Sequence, residues 1–142
     1  DTLLALADVL DINLEFLFEE YRKERPVRIT RADERATIFE EDILYEELAT
    51  PGSTDKENSL EAYVIKIPVG SHTHRGSYGH LGRELGIILN GKGELTYENK
   101  NYILEEGDSA SFSAGAPHLL KNIGDCELKA IWIVTPAQRF VK

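Results

Sequence analysis

Three residues of types that bind divalent metals could be brought together by folding. His80 and Glu84 lie four positions apart, and His118 follows well downstream, with glycines flanking the first two. Two imidazoles and one carboxylate bound to a metal leave coordination positions open for a substrate or for dioxygen. Glycines allow the backbone to approach such a site closely. We therefore predict a metal site at His80, Glu84 and His118; the alternative is a polar pocket without metal.

Short β-prone segments must position these residues. After residue 35 the helical periodicity disappears, and β-prone runs alternate with turns rich in Gly, Asn and Asp. The predicted strands are residues 27–30, then ATIFE, ILYEELA, EAYVIKIPV, ELGIILN, GELTYEN, NYILEE, SASFS, HLLKN and ELKAIWIV. Closely spaced strands without intervening helices predict a mainly β protein, an antiparallel sandwich or barrel. Side chains from separate strands can converge inside it.

The N-terminal region has a helical pattern instead. Apolar residues recur at helical spacing from Leu3 to Leu10, and Asn13 is a suitable N-cap for a second helix through Phe18. Two short helices need a partner surface, because isolated short helices are marginal in water. Residues 21–35 are charged and contain Pro26, which predicts a linker running into the first strand. The domains expected are residues 1–20, this linker, and residues 36–142.

Composition narrows the functional classes. The 142 residues, of which 42% are hydrophobic, suffice for one globular domain and a small appendage. A net charge of −9 disfavours direct DNA binding by these residues. The sequence has neither a long apolar span nor a signal-peptide pattern, so a cytoplasmic protein without membrane attachment is expected. The single cysteine, Cys126, cannot form an internal disulfide and is expected to be a small core residue.

The metal-ligand segments resemble the two sequence motifs of the cupin superfamily. In YGHLGRELGIILNG the first motif is matched by His80, Glu84 and Gly91. In GDSASFSAGAPHLLKN the second motif is matched by its glycines, His118 and Asn122, with Ser113 in a place where the motif has proline. The resemblance implies a double-stranded β-helix, or jelly-roll barrel, around the metal site.

Cupins often use a His-x-His pair as their first two ligands, which makes His72 and His74 a competing set. Their distance in sequence from Glu84 is too long for the usual motif, so we favour His80 and expect the pair to lie in a solvated loop. Tyr78 then occupies the position of the other first-motif histidine. Aromatic residues expected to line the ligand pocket are Tyr63, Tyr78, Tyr97, Tyr102, Phe112 and Trp132.

Over its whole length the chain resembles the helix-turn-helix (XRE-type) transcriptional regulators with a C-terminal cupin sensor. The resemblance implies that residues 1–20 are the last helices of a truncated DNA-binding domain. It further implies a homodimer that senses a small-molecule effector and reaches DNA through the missing N-terminal part, with a divalent metal (Fe, Mn, Zn, Ni or Cu) as a possible cofactor. The regulator, rather than an enzyme, is the favoured interpretation.

An enzymatic alternative rests on the segment GHLGRE. This segment also resembles the metal-binding run of the hydroxypropylphosphonate epoxidases, which couple a DNA-binding-like domain to an iron-dependent cupin. That resemblance implies Fe(II) at His80, Glu84 and His118 and an oxygenase or epoxidase activity. The sequence offers no convincing substrate-binding residues outside the three ligands.

Overall fold

Nine β-strands make up about half of the described part of the chain. The structure is a computed structural model that describes residues 2–10, 27–49 and 59–138. The helical elements are α1 (Thr2–Leu10) and a short 3₁₀ helix (Ala32–Glu34). The strands are β1 (Thr37–Glu40), β2 (Ile43–Ala49), β3 (Glu61–Ile67), β4 (Arg83–Asn90), β5 (Gly93–Tyr97), β6 (Lys100–Leu104), β7 (Ser109–Ser113), β8 (His118–Asn122) and β9 (Leu128–Thr135).

The strands form two antiparallel sheets that share one core. The larger sheet has the order β1-β2-β3-β9-β4-β7, and the smaller has the order β6-β5-β8. Side chains of both sheets, such as Ile65 and Trp132 on one and Leu95 and Leu120 on the other, meet in a single buried cluster. The mainly β, antiparallel architecture predicted from the sequence is thereby confirmed.

Strand register places Glu61 and Glu84, two residues of the site described below, on the inner face of the larger sheet. Glu61 of β3 and Glu84 of β4 are both paired with Val134 of the intervening strand β9. Residues directly opposite each other across an antiparallel pair project from the same face, and neighbouring strands lie about 4.8 Å apart. Two residues further along, Tyr63, Trp132 and Gly86 form the next row. Two adjacent rows of the larger sheet therefore contribute Glu61, Tyr63, Glu84 and Trp132 to one face.

Two local predictions are wrong. Residues 27–30 form no strand, and the side chains of Val27 and Ile29 are exposed. Within the described residues no neighbouring strand offers them backbone partners, whereas β1 begins at Thr37 and pairs with β2. Cys126 is exposed rather than in the core, because it lies in the turn between β8 and β9.

The first predicted helix is present as α1, and it exposes Leu4, Leu6, Val9 and Leu10. The second predicted helix and the first part of the predicted linker fall within residues 11–26, outside the described residues. Among the helices described, none is long and apolar enough to cross a membrane.

Candidate metal centre

The structure brings the three predicted ligands to one point. The Nε2 atom of His80 lies 2.7 Å from Oε2 of Glu84, and Nε2 of His118 lies 2.5 Å from the same oxygen. One donor atom from each residue falls within 4.8 Å of the others. Glu84 and His118 are buried and His80 is half-buried. Two imidazole nitrogens and one carboxylate oxygen form a donor set that binds first-row divalent metals such as Fe, Zn and Ni.

Backbone contacts hold the two histidines in place. His80 precedes β4, and its N–H donates to the carbonyl of Ala114 at 2.7 Å. His118 begins β8, and its N–H donates to the carbonyl of Gly76 at 2.9 Å. The loop before β4 and the start of β8 are thus fixed to each other across the mouth of the barrel.

The second ring nitrogen of each histidine faces a backbone carbonyl. Nδ1 of His80 lies 3.0 Å from the carbonyl oxygen of Leu81, and Nδ1 of His118 lies 2.7 Å from that of Ala116. A carbonyl oxygen only accepts hydrogen bonds, so we infer that Nδ1 carries the proton in both rings. When the His118 ring is protonated, its Nε2 donates to Glu84; a bound metal would replace that proton and take the Nε2 lone pair, while Nδ1–H stays on the carbonyl.

Glu84 is kept ionised although it is buried. Burial opposes its ionisation, but hydrogen bonds from His118 and from the Trp132 indole outweigh this effect and hold the pKa of Glu84 below its usual value. The indole Nε1 donates to Oε1 of Glu84 at 2.6 Å. For His118, burial lowers the pKa, and the hydrogen bond with Glu84 outweighs that and raises it. The carboxylate therefore has the charge that a metal ligand needs.

We expect Trp132→Phe to weaken metal binding by roughly 10- to 100-fold, which is the usual effect of removing a residue that hydrogen-bonds a metal ligand. The change removes the donor to Oε1 of Glu84 but keeps an aromatic ring. Competition titrations against a chelator measure the effect. Tyr97→Phe is the matched control, since its hydroxyl donates to the carbonyl of Ser113 and not to a ligand. Equal affinities for the two variants would contradict this role of Trp132.

Gly86 makes room for the Trp132 ring. A Cβ atom at position 86 would lie 2.0 Å from the ring of Trp132, which is itself buried. We expect Gly86→Ala to lower the free energy of unfolding by about 1–3 kcal/mol and to weaken metal binding, because the indole must move off Glu84. Gly115→Ala is the control, since its Cβ would meet only a Ser113 atom at 3.8 Å. Chemical denaturation of both variants measures the difference; equal stability would contradict the packing argument.

A cavity of about 340 Å³ adjoins the three ligands. His80, Glu84 and His118 all lie on its wall. Its apolar lining comes from Ile65, Leu95, Leu119, Leu120, Trp132 and Val134. Its other polar lining comes from Tyr45, Glu61, Tyr63, Thr73, Arg75 and Gln138. A mostly apolar cavity with a few polar groups beside a ligand set is suited to a small organic molecule.

The predicted pocket aromatics divide into three groups. Tyr63 and Trp132 line the cavity. Phe112 and Tyr97 do not line it but pack behind it, with Phe112 4.9 Å from the His118 ring between centroids. Tyr78 and Tyr102 were wrongly predicted as lining residues, being 95% and 47% exposed. Tyr78 lies on the loop before β4, and Tyr102 lies on a strand at the edge of the smaller sheet.

His72 and His74 lie apart from the three ligands. Their ring centroids are 4.6 Å from each other, and Nε2 of His74 lies 3.0 Å from a carboxylate oxygen of Glu41. Neither lines the cavity, and neither belongs to the His80, Glu84 and His118 group. The choice between His80 and this pair as metal ligands stays a prediction, which the histidine variants described in the Discussion test.

Sequence reasoning missed several cavity residues, among them Tyr45, Glu61 and Arg75. Strand alternation could have found Glu61, because it lies two residues from Tyr63 on the same strand and so projects from the same face. On β2, Tyr45 likewise shares the buried face with the residues two positions away on either side, Ile43 and Glu47. Arg75 lies in a loop, and no periodicity indicates its direction.

Comparisons with solved structures show the same fold. An RmlC-like cupin from Shewanella frigidimarina aligns with a TM-score of 0.66 at 15% identity, covering 83% of this chain and 99% of that one. Hydroxypropylphosphonic acid epoxidase from S. wedmorenis, in complex with fosfomycin, aligns with a TM-score of 0.61 at 20% identity, covering 76% of this chain and 59% of that one.

Sequence comparisons give the family. An uncharacterized protein of Methanocaldococcus jannaschii is 33% identical over 76 residues, or 54% of this chain; the match spans 58% of that protein's length. The cupin domain model matches residues 63–134, which include all three candidate ligands. The chain belongs to the cupin domain family.

Proposed function

We propose that this cupin binds one divalent metal through His80, Glu84 and His118 and uses it to hold a small organic molecule in the adjoining cavity. The observation that carries the proposal is the convergence of three donor atoms within 4.8 Å on the wall of a cavity of about 340 Å³. Three protein ligands leave coordination positions open, and all three residues line the cavity, where a bound molecule could reach the metal.

The hydrogen bonds that orient the three candidate ligands favour a metal site over a polar pocket without metal. Both imidazoles have Nδ1 against a backbone carbonyl, and the carboxylate receives the Trp132 indole N–H. Every ligand is thus oriented by a group that is not itself a ligand, which is the usual arrangement around bound metals. A pocket that only needed polarity would not require this orientation at all three residues.

We propose Fe(II) as the metal and oxidation of the bound molecule as the reaction class. Two histidines and one carboxylate with open positions are the ligand set of non-haem Fe(II) oxygenases. One structural neighbour, at 20% identity, is an Fe(II) form of the epoxidase with an alternative substrate. When bound, Fe(II) would supply the activation of dioxygen, while the apolar cavity wall would exclude water from the organic molecule.

The metal proposal is tested by elemental analysis of protein purified without chelator and without nickel resin. We expect near-stoichiometric iron, and after anaerobic loading with Fe(II) we expect nitric oxide, a probe of open coordination positions, to give the EPR signal of a ferrous nitrosyl. Stoichiometric zinc with no iron uptake would contradict the oxidative reaction class but not the metal site. No metal of any kind would contradict both.

A second candidate is the sensor half of a transcriptional regulator, with the cupin as a homodimer that pairs two DNA-binding domains. The observation that favours it is α1, a short helix on which four apolar side chains are exposed. A short helix with so many exposed apolar side chains is expected to pack against further helices, as in a helix-turn-helix domain of which residues 1–20 would be the last part. A small-molecule effector in the cavity would have to bind two conformations of the dimer unequally to transmit a signal.

A gel-shift series with the full-length gene product tests this second candidate. Nanomolar binding to a palindromic site near its own gene, persisting at physiological salt, is expected of a specific regulator. Weak binding that disappears as salt rises would indicate only non-specific contact with phosphates and would count against regulation.

A further inference from the structure

Among the described residues, Arg75 is the only arginine or lysine on the wall of the cavity that the three candidate ligands also line. The next residue, Gly76, is packed so closely on His118 that a Cβ atom there would lie 2.4 Å from the imidazole ring. Consecutive Cα atoms are 3.8 Å apart, so the backbone of Arg75 is held next to the candidate metal centre. Its guanidinium lies over the rings of Tyr45 and Tyr63, 4.6 and 5.2 Å from their centroids.

The Arg75 guanidinium keeps donors available to a ligand. Its Nε donates to Glu40 at 2.7 Å, and it is hydrogen-bonded to the Tyr63 hydroxyl. Nη1 forms an ion pair with Oε2 of Glu61 at 3.8 Å, a separation beyond hydrogen-bond distance. The planar fork has five N–H donors, more than these partners use.

Glu61 is the natural competitor for Arg75, but its oxygens have other partners. Oε2 accepts the hydroxyl of Tyr63, and Oε1 accepts the backbone N–H of Gln138. The Tyr63 hydroxyl stays protonated at any physiological pH, because burial and the hydrogen bond with Glu61 raise its pKa to about 12. Glu61 therefore accepts no hydrogen bond from Arg75, and N–H donors of the guanidinium remain available to a ligand in the cavity.

The charge on the cavity wall indicates the charge of the ligand. On the lining, Glu61 and Glu84 each contribute one negative charge and Arg75 contributes one positive charge; Glu40, which is ion-paired with Arg75 at 2.7 Å, lies outside the lining. A divalent metal bound to neutral histidines would leave the lining with one net positive charge. Such a lining is complementary to a monoanion, and a carboxylate matches the guanidinium fork with two parallel hydrogen bonds. A phosphate dianion would exceed the available charge.

We propose that the cavity takes a monocarboxylate with a short apolar body, bound with its carboxylate on Arg75 and its other end toward the metal. This inference rests on the proposed function for the position of the metal. The apolar wall formed by residues such as Ile65, Leu95 and Val134 would contact the hydrocarbon part. Arg75 is thus assigned as the residue that selects acids over neutral molecules of the same shape.

The test compares hexanoate with hexanamide, which has nearly the same shape without the charge. Calorimetric titrations use the protein loaded with Zn(II), which is redox-inert, and metal content is measured in the same samples. We expect hexanoate to bind about tenfold or more tightly than hexanamide, and Arg75→Gln to remove that preference. Arg83→Gln is the matched control. It removes the same charge from an exposed residue that does not line the cavity, and it should keep the preference for hexanoate.

Three results would overturn the proposal. The first is no preference for hexanoate in zinc-loaded wild-type protein. The second is a preference that survives Arg75→Gln but is lost in the His80→Ala/His118→Ala variant, which would show that the metal alone holds the carboxylate. If Arg75→Gln does not fold, Arg75→Lys decides, because it keeps the charge but not the fork: the preference should fall several-fold, and an unchanged preference is the third contrary result.

The same samples separate this proposal from the proposed metal function. If zinc binds but no Arg75-dependent preference is seen, the metal function stands and the assignment of Arg75 fails. If no zinc binds but the preference for hexanoate persists and depends on Arg75, the anion site stands and the metal function fails.

Discussion

Changing both His80 and His118 to alanine is expected to abolish stoichiometric metal binding. The double variant leaves only Glu84 of the three donors, and a single carboxylate cannot hold a borderline metal at a defined position. The affinity for metal should fall by more than the roughly 100-fold that can follow from losing a hydrogen-bond partner of a ligand. Elemental analysis of proteins purified in parallel, without chelator or nickel resin, measures the metal per chain.

The matched control is His72→Ala with His74→Ala, which removes the same number of imidazoles from a group outside the cavity. This control should keep its metal. Circular dichroism must show both variants to be folded, so that loss of metal is not loss of structure. If instead the control loses the metal and the His80/His118 variant keeps it, the site has been assigned to the wrong histidines.

Asn122→Ala is expected to produce the largest loss of stability among the substitutions considered, about 3 kcal/mol in the free energy of unfolding. Asn122 is almost completely buried. Its side-chain amide donates to the carbonyls of Ile67 and Cys126 at 2.8 Å each, and its Oδ1 accepts the N–H of Gly124 at 2.9 Å. Removing it leaves three backbone groups without these partners, at least one of them deep in the core, and also leaves a cavity.

Urea denaturation monitored by tryptophan fluorescence measures this effect, with Asn90→Ala as the control. Asn90 is exposed, and its side-chain contacts are long, 3.4 Å to the Glu127 carbonyl and 4.0 Å to the Cys126 sulfur. Its replacement should change stability by no more than about 0.5 kcal/mol. An Asn122→Ala protein as stable as the Asn90→Ala protein would mean that water replaces the lost hydrogen bonds at little cost.

Much of the β architecture could be predicted because its signals are local. Alternating apolar residues and turn-forming residues mark each strand from β1 to β9, and the observed bounds differ from the predicted ones by few residues. The prediction failed at residues 27–30, where alternating Val27 and Ile29 have the pattern of a strand but no adjacent strand in the described residues supplies hydrogen bonds. A strand is stable only when it is paired, and pairing is not a local property.

Prediction of the ligand pocket was less complete, for a different reason. A period of two shows that Glu61 and Tyr63 share a face, but it does not show whether that face is inside. Tyr63 and Tyr102 both occupy strands, yet Tyr63 is buried against the cavity and Tyr102 is exposed on the smaller sheet. Burial depends on which sheet covers which face, and this is decided only when the two sheets pack.

By itself, the sequence indicated the strand series, the cupin motifs and the candidate ligands His80, Glu84 and His118, because strand signals are local and a motif needs only residue types and spacing. Only the tertiary structure decided that Trp132 donates to Glu84, that Gly86 makes room for it, and that Arg75 lies on the cavity wall. These contacts join residues far apart in sequence or place a loop residue by packing. Their geometry follows from strand register and loop contacts, which no short stretch of sequence encodes.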